Sequence, residues 1–339
     1  MPLLIVVLLL LLPGASGAEE FTGEAYRIGT SVADNGSSGA LPSRYHTASQ
    51  YIDFPGDFGN QKLFRLEMAT LPAFADLSQN LSGALSYSLD AKTRINVFGG
   101  MVSTPDIALL PVLPGSPEDR LNDPSLRPLP CVGCPMLKDV VYQANINLMR
   151  KYDGFFPRLD IASRPIPVEF SMGVTTKYYY EELEGGEYEA QNLNLDLGAC
   201  LKFAWGYDPI SQVSDRDVKL QFSGFEILPT RQKAAVNGFE VYERMPWRWS
   251  YTFSWEEGFP TLQSFLSLGL TQKSEGGKWP ALGTEWDFRR QLYLRGGWDG
   301  EYLSAGASVA YRFMSVHYAF RHHELGNSLY QVSLQVEWP

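Results

Sequence analysis

Apolar and polar side chains alternate along the chain after residue 60, and residues 188–204 show the pattern most clearly. Every second position from Leu193 to Phe203 is apolar, while Asn194, Asp196 and their alternate neighbours are polar or small. Because successive side chains of a strand point to opposite faces of a sheet, this period predicts a strand with one apolar and one polar face. The segments that share the period are 62–71, 83–90, 93–102, 139–151, 168–181, 188–204, 217–227, 247–256, 261–272, 281–289, 290–298, 302–313, 314–321 and 328–338.

Strand length and strand number together favour a barrel in a membrane. The segments are about ten residues long, which suits tilted strands that cross a bilayer, and an even count is typical of single-chain bacterial barrels. A charged side chain such as Asp196 or Lys202 is costly against lipid, so the polar faces are expected to line the lumen. A soluble β-sandwich or small barrel would alternate too, but the strand lengths and number favour the membrane. The predicted fold is therefore all-β, a transmembrane up-and-down antiparallel β-barrel of about 14 strands.

The chain divides into three predicted parts. Residues 1–18 contain an unbroken apolar run and end in small residues, which predicts an export signal cleaved before Glu19. Residues 19–60 show no clear period and are expected to form a flexible lead-in or a hatch folded inside the barrel. Residues 61–339 are predicted to form the barrel. Within it, residues 104–138 are expected to form a long proline-rich loop, because proline cannot donate to a strand ladder.

Charge and motifs narrow the range of functions. The 339-residue chain has a formal net charge of −10 and no basic run, which argues against a nucleic-acid partner. No nucleophile elbow, zinc-binding helix motif or phosphate-binding loop occurs, so neither an enzyme nor a cofactor or resident metal is predicted. Ser315 and His317 fall on one polar face, but no acidic residue is adjacent in sequence to orient the histidine. They are therefore not predicted to be a catalytic pair.

Three cysteines are present, and each has a plain interpretation. Cys131 and Cys134 form a C-x-x-C pair in the proline-rich loop and could form a small local disulfide in an exported chain. A redox role would need a helix N-terminus to activate the first thiol, and a zinc site would need a second pair of ligands nearby. Cys200 is expected to be a small residue within a strand.

Charged residues collect on the predicted inner face of the last strands, and two interpretations of them stay open. They could form a mutually neutralising network that fills and rigidifies a narrow barrel. They could instead form a polar constriction that binds a ligand carboxylate or selects solute charge, with Arg295 and Arg312 as donors. The candidate lumen-lining residues are Glu285, Asp287, Arg289, Arg295, Arg312, His317 and Arg321.

Short stretches in the last third of the chain resemble a known family. They are residues 282–286, 292–298, 304–307, 316–320 and 324–328. They are similar to the C-terminal half of the PorV/PorQ family, outer-membrane barrels related to the long-chain fatty-acid transporter FadL. His317 stands where the family usually has aspartate, and Trp286 and Trp298 stand where it usually has tyrosine. Val32–Ser38 is similar to the start of the family's N-terminal hatch stretch, but the Asn-Pro-Ala part of that stretch has no good counterpart.

The resemblance implies a FadL-like barrel in the bacterial outer membrane, in contact with its lipids and inserted by the barrel-assembly machinery. Trp338 would be the C-terminal aromatic that the machinery recognises. Two non-enzymatic roles follow. In the first, the protein would act in type IX-like protein secretion and dock a secreted protein cargo at the outer membrane. In the alternative, it would be a FadL-like passive transporter of hydrophobic small molecules. Apolar residues in the loop 104–138 favour docking. A transporter should instead have a side-wall opening or an apolar lumen pocket, and the predicted lumen faces are polar.

Overall fold

The computed structural model describes most of the chain, and most of what it describes is β-strand. The described residues are 31–58, 63–73, 78–108, 136–156, 166–183, 188–205, 216–228, 231–236, 239–244, 247–274, 280–300, 302–323 and 328–338. The strands are β1 (Phe64–Ala73), β2 (Ser78–Ser88), β3 (Thr93–Ala108), β4 (Met136–Phe156), β5 (Ile166–Leu183), β6 (Tyr188–Trp205), β7 (Arg216–Phe225), β8 (Arg231–Val236), β9 (Phe239–Arg244), β10 (Arg248–Phe259), β11 (Ser264–Lys273), β12 (Ala281–Phe288), β13 (Leu292–Trp298), β14 (Tyr302–Tyr311), β15 (Met314–His323) and β16 (Ser328–Trp338).

These strands form one antiparallel sheet that closes into a barrel. Each wall strand pairs with its two neighbours around the ring, and β1 pairs with β16, where Phe64 lies opposite Trp338. β8 and β9 form a hairpin outside the ring, so the wall has 14 strands. The hairpin joins the wall through β8, which pairs with the first residues of β6. The predicted all-β, antiparallel up-and-down barrel is confirmed.

The wall has the two faces that the alternation predicts. In β6, Leu193 is 53% exposed, whereas Asn194 and Asp196 are almost completely buried. The same division holds for most side chains of the other described wall strands. The exceptions include Phe98, Val141 and Met149, which are buried in one apolar cluster with residues of the segment 31–58. Since the inward polar side chains are buried, they contact other parts of the protein, and the lumen is filled at their level.

Strands on one side of the barrel are longer than predicted. β3, β4, β5 and β6 have 16, 21, 18 and 18 residues, against 10 in β11 and in β14. β3 runs through Pro105 to Ala108 and β4 begins at Met136, so the prediction of loop was wrong at both ends of residues 104–138. Proline is tolerated there because the ladder has an irregularity between Thr104 and Ile107.

The β8–β9 hairpin is missing from the predicted strands. Each of its strands has six residues, with charged or polar side chains at half of the positions or more. A run this short, with so few apolar residues, cannot be told from a loop by its period. The hairpin extends the sheet beyond the end of β7, next to the longest wall strands.

The two ends of the barrel differ. At one end, termed the turn end, strands connect through tight turns at 260–263, 289–291 and 312–313, and the chain enters β1 and leaves β16 there. Left-handed backbone in these turns occurs at Gln263, Arg289, Arg290 and Arg312. The other end, termed the loop end, carries the extended strands and the β8–β9 hairpin. None of the helices in the described ranges is both long and apolar enough to span a membrane.

Several predictions fall outside the described residues and stay predictions. They are the export signal at residues 1–18, the boundary near residue 60, the middle of the proline-rich loop and the Cys131–Cys134 disulfide.

Candidate functional site: the plugged lumen

Residues 31–58, termed the plug, lie inside the barrel. They contain a short helix, α1 (Val32–Asn35), and a 3-10 turn at Gln50–Ile52. Ser31 caps α1, because its hydroxyl accepts a hydrogen bond from the N–H of Asp34. Most plug side chains are buried, including polar ones such as Asp34, which is 0% exposed. A polar segment can be buried in this way only when its groups find partners, and the wall supplies many of them.

The plug backbone packs against the wall where the wall has no side chains. Gly269, Gly283 and Gly297 lie next to one another on β11, β12 and β13. A Cβ atom added at these positions would lie 2.3, 2.7 and 2.4 Å from atoms of Ser37 or Leu41 in the plug. Glycine is needed here because any other residue would force the two backbones apart. These three glycines, termed the glycine seat, fix the position of the first half of the plug.

A second close approach holds the other half of the plug. Its Pro55–Gly56 turn lies against Gly173 of β5 and Gly198 of β6, which pair across the ladder. The Ser171 hydroxyl donates a hydrogen bond to the carbonyl of Gly56 at 2.6 Å. The plug is therefore anchored on two separate parts of the wall, β11–β13 and β5–β6.

One carboxylate makes the central polar contact between plug and wall. Glu285 of β12 is 0% exposed and accepts hydrogen bonds from the Ser43 hydroxyl at 2.7 Å and the Arg44 N–H at 2.8 Å. Arg295 lies opposite Glu285 in the ladder and donates to the same carboxylate at 2.6 Å and to the Ser43 hydroxyl at 2.9 Å. Hydrogen bonds between ionised groups are strong when buried. These four residues, termed the latch, hold the plug to two wall strands.

Arg44 extends the latch to two further carboxylates. Its guanidinium forms an ion pair with Glu256, lies 3.5 Å from Asp287 and stacks 3.8 Å from the ring centroid of Phe265. Burial disfavours the charged form, but Glu256 and Asp287 outweigh burial and raise the pKa of Arg44 above its ordinary value. Arg44 is therefore a cation at neutral pH, held among carboxylates of the wall.

His317 lies beside the latch without the surroundings of a catalytic histidine. Its ring nitrogens lie 2.9 Å from the Ser315 hydroxyl and 2.7 Å from the Ser308 hydroxyl, and Arg295 donates to Ser308 at 2.5 Å. The side chain is 0% exposed, and the ring of Tyr45 in the plug lies 4.9 Å away. A nucleophile–base pair needs an orienting acid and space for a substrate. Within the described residues His317 has hydroxyl partners and a plug ring instead, which fits a structural role.

The plug lies close to the wall around two small cavities. Each cavity has a volume of about 10 Å³, which is room for roughly one water molecule. Small-molecule pockets usually have roughly 300–1,000 Å³. His46 lines one of the cavities, and burial, followed by the charges of Lys219 and Arg65, lowers its pKa well below the ordinary value. Neither of these two cavities is large enough to hold a small-molecule solute.

The ladder beside β6 is interrupted near the loop end. β7 pairs with β6 only as far as Leu197, and β8 pairs with it only up to Gln191. Between these two points the ladder is irregular, and the N–H of Ile227 donates to the backbone carbonyl of Leu195 at 2.9 Å. β7 ends because Glu226 has a left-handed backbone, with φ of 55°, which turns residues 226–228 out of the strand. This interruption is termed the break.

The structure divides the predicted lumen residues into three groups. Those that are buried on the inner face around the plug are Glu285, Asp287, Arg295 and His317. Arg321 lies nearer the loop end and pairs with Asp299 at 2.6 Å. Arg289 and Arg312 are exposed, and the prediction that they line the lumen is wrong. Each follows directly after the last residue of a strand and has a positive φ, so the alternation ends before it.

The remaining predicted residues lie away from the latch. Trp338 is 47% exposed at the turn end, with its ring centroid 5.1 Å from that of Phe64 across the β1–β16 pair. Cys200 is a free, buried thiol in β6, while Cys131 and Cys134 lie outside the described residues. In the described ranges, no three His, Cys, Asp or Glu residues are grouped closely enough to hold a metal ion.

Sequence patterns did not reveal the glycine seat, the Pro55–Gly56 anchor or the break. The signal for the seat was present, since Gly269, Gly283 and Gly297 fall on three successive predicted strands. It becomes meaningful only once the register places them side by side.

Comparisons with known proteins concern the fold. No family model matches the chain, and no curated protein matches it. The toluene transporter TbuX from Ralstonia pickettii has a similar structure, with 10% identity over 93% of this chain and 100% of that one and a TM-score of 0.49. The CymD monoaromatic hydrocarbon channel is similar at 9% identity over 91% and 98%, with a TM-score of 0.41. The translocator domain of the autotransporter NalP from Neisseria meningitidis gives 8% identity over 84% and 90%, and a TM-score of 0.35.

Proposed function

We propose that the chain is a non-enzymatic bacterial outer-membrane barrel that lets hydrophobic small molecules cross passively. The observation that carries this proposal is the break, an irregular stretch of ladder in the wall of a barrel that surrounds the plug. The plug obstructs an axial path. An apolar solute that reaches the lumen from the loop end can leave sideways at the break and enter the apolar layer around the barrel.

The outer face of the wall supports a membrane location. Large apolar side chains are exposed on wall strands around the described ring, from Met68 and Leu81 on β1 and β2 to Val332 and Leu334 on β16. Water-soluble proteins rarely expose contiguous apolar patches of more than a few hundred Å². Barrels of the outer membrane have short periplasmic turns and longer extracellular loops. The loop end, and the break near it, would therefore face the cell exterior.

The secretion role has less support. The docking surface predicted for it was the apolar part of the loop 104–138, and residues 109–135 lie outside the described residues. The break, by contrast, is an irregular part of the side wall, which is where a transporter would be expected to open. Membership of the PorV/PorQ family, a secreted protein cargo and recognition by the barrel-assembly machinery stay predictions.

Uptake by living cells tests the proposal. The chain is expressed in a Gram-negative host that lacks its own channels for hydrophobic solutes, and heat-modifiable migration of the outer-membrane fraction verifies insertion. Uptake of radiolabelled toluene and of a long-chain fatty acid is compared with uptake of a small sugar. We expect uptake of at least one apolar solute to rise several-fold over an empty-vector strain, with no gain for the sugar. Equal apolar uptake in the two strains would contradict the proposal.

A further inference from the structure

Three exposed arginines lie in neighbouring turns at the turn end of the barrel. Arg289 and Arg290 lie in the turn between β12 and β13, and Arg312 lies in the turn between β14 and β15. The two turns adjoin, because the N–H of Ala310 beside the second turn donates to the carbonyl of Gln291 in the first at 2.7 Å. These three arginines are termed the arginine set.

The arginine set gives this part of the turn end a positive charge. Among the residues that the structure describes, no carboxylate lies within salt-bridge distance of the three guanidinium groups. Asp287, the acid closest in sequence, is buried; its carboxylate lies 3.5 Å from Arg44 and accepts a hydrogen bond from the backbone N–H of Arg290. Glu337 at the end of β16 pairs with Arg65 at 3.2 Å. The exposed charge there is therefore positive, although the whole chain has a formal net charge of −10.

Large apolar side chains are exposed beside the arginine set, in the turns and at the ends of the strands. They include Leu262, Leu292, Tyr311, Phe313 and Trp338. Arg312 lies over one of them, with its guanidinium carbon 5.2 Å from the ring centroid of Tyr311. Cations beside a band of aromatic and aliphatic side chains match a membrane–water interface, where the stem of arginine is buried and its charge reaches the headgroups.

An anionic phospholipid matches both parts of this surface. The guanidinium group is planar, stays charged and binds a phosphate through paired N–H donors. The acyl chains of the same lipid cover the apolar side chains. A free phosphate or a soluble acidic protein would match the charges, but it would leave the apolar side chains exposed to water, which is unfavourable.

We propose that the arginine set and the apolar side chains beside it bind the phosphodiester group of anionic phospholipids in the leaflet at the turn end. This inference rests on the membrane location in the proposed function, and it does not depend on solute transport. With the loop end facing the exterior, the leaflet concerned is the periplasmic one. The arginines distinguish lipids by charge, so in zwitterionic lipid they contribute little to the stability of the barrel.

Lipid selectivity tests this surface directly. Full-length protein in non-ionic detergent micelles is mixed with equal amounts of phosphatidylglycerol and phosphatidylcholine, and native mass spectrometry counts the lipids that stay bound. An anionic lipid surface strengthens binding by about fivefold for each nearby arginine. We therefore expect wild type to prefer phosphatidylglycerol by at least about 20-fold. The preference should disappear in about 1 M ammonium acetate, where charges are screened beyond about 3 Å.

Replacing Arg289 and Arg312 together by glutamine removes two of the three charges. Glutamine suits these positions, because Gln263 adopts the same left-handed backbone in the neighbouring turn between β10 and β11. We expect the preference for phosphatidylglycerol to fall at least about tenfold. The double variant Arg289→Lys with Arg312→Lys keeps both charges and should retain most of the preference.

Lys92→Gln with Arg216→Gln is the matched control. Both residues are exposed cations at the turn end, but they are paired, Lys92 with Asp153 at 3.9 Å and Arg216 with Glu257 at 2.8 Å. This variant changes the net charge by the same amount as the test variant. Its preference for phosphatidylglycerol should stay within about twofold of wild type.

The outcomes separate this surface from the transport function. Heat-modifiable migration first verifies that each variant is folded. A preference in the double glutamine variant within about twofold of wild type would overturn the lipid site, as would an equal fall in the control. If the double variant does not fold, Arg312→Gln alone decides: a fall of at least about threefold supports the site, and no change overturns it. A phosphatidylglycerol preference that depends on the arginine set, without any apolar uptake by cells, supports the lipid site and contradicts the transport function. Apolar uptake without that preference does the reverse.

Discussion

Replacing Glu285 by alanine should loosen the plug. Its carboxylate accepts hydrogen bonds from the Ser43 hydroxyl, the Arg44 N–H and the Arg295 guanidinium, at 2.7, 2.8 and 2.6 Å. The substitution removes all three and leaves the guanidinium of Arg295, a residue 6% exposed, without this counter-ion. Plug and wall both lose stability, and the share that falls on the plug can be estimated from the contacts that cross between them.

Two of the three hydrogen bonds join the plug to the wall. A hydrogen bond to a charged group contributes about 1.5–3 kcal/mol, so the plug should lose about 3 kcal/mol or more of its binding free energy. At about 1.4 kcal/mol for each factor of ten, the plug should leave its site on the order of 100-fold more often. The Glu285–Arg295 pair joins two wall strands, and its loss affects the wall whether or not the plug is bound.

Hydrogen exchange followed by mass spectrometry resolves these two effects. Peptides from residues 31–58 report on the plug, and peptides from β12 and β13 report on the wall. Glu257→Ala is the control, because Glu257 pairs with Arg216 at 2.8 Å on the exposed surface and contributes little there. A double variant, Glu285→Ala with Arg295→Met, removes the unpaired charge and should recover part of the lost wall stability. Plug exchange within about twofold of wild type in Glu285→Ala would refute the latch, since that change corresponds to less than about 0.5 kcal/mol.

Three further substitutions test the seat, the lipid-facing wall and the turn end. Gly297→Leu places a Cβ atom 2.4 Å from Ser37 and should displace the plug, so that lipid vesicles containing this variant become permeable to a small sugar. Gly296→Leu is the control, because a Cβ atom there has no neighbour nearer than 3.8 Å, and vesicles containing it should stay sealed. Val332→Lys puts a charge on the outward face of β16 and should lower the free energy of unfolding in lipid by about 2–4 kcal/mol, measured by urea titration. Arg312→Ala changes an exposed turn residue and should alter that free energy by less than about 0.5 kcal/mol, whereas a lumen-lining role would require a larger loss.

The wall strands could be predicted because their signal is local. Each strand repeats its own alternation over about ten residues, and the segment 328–338 coincides with β16. The errors lie where a local period ends. Arg289 and Arg312 continue the alternation by residue type, but a positive φ begins the turn before either could join a strand. The prolines predict a loop from residue 104 onward, although an irregular ladder position accommodates Pro105 within β3.

The plug contacts could not be predicted because they join residues that are distant in sequence. Ser43 meets Glu285 across 242 positions, and no period in either segment indicates the other. The break has the same character: the alternation of β6 continues through Asn194 and Asp196, so the sequence shows a strand there but not the irregular ladder beside it. Register and closure of the barrel determine both features.

The contacts around the plug also change what the polarity of the lumen implies. Polar inner faces on the last strands argued against a path for apolar solutes when they were considered as the lining of an open channel. In the structure, Glu285, Asp287 and Arg295 contact the plug, and the Asp196 carboxylate accepts a hydrogen bond from the N–H of Glu226. These groups therefore face protein partners in the closed barrel. Their polarity is accounted for by contacts within the protein, and it gives no evidence against the proposed passage of an apolar solute.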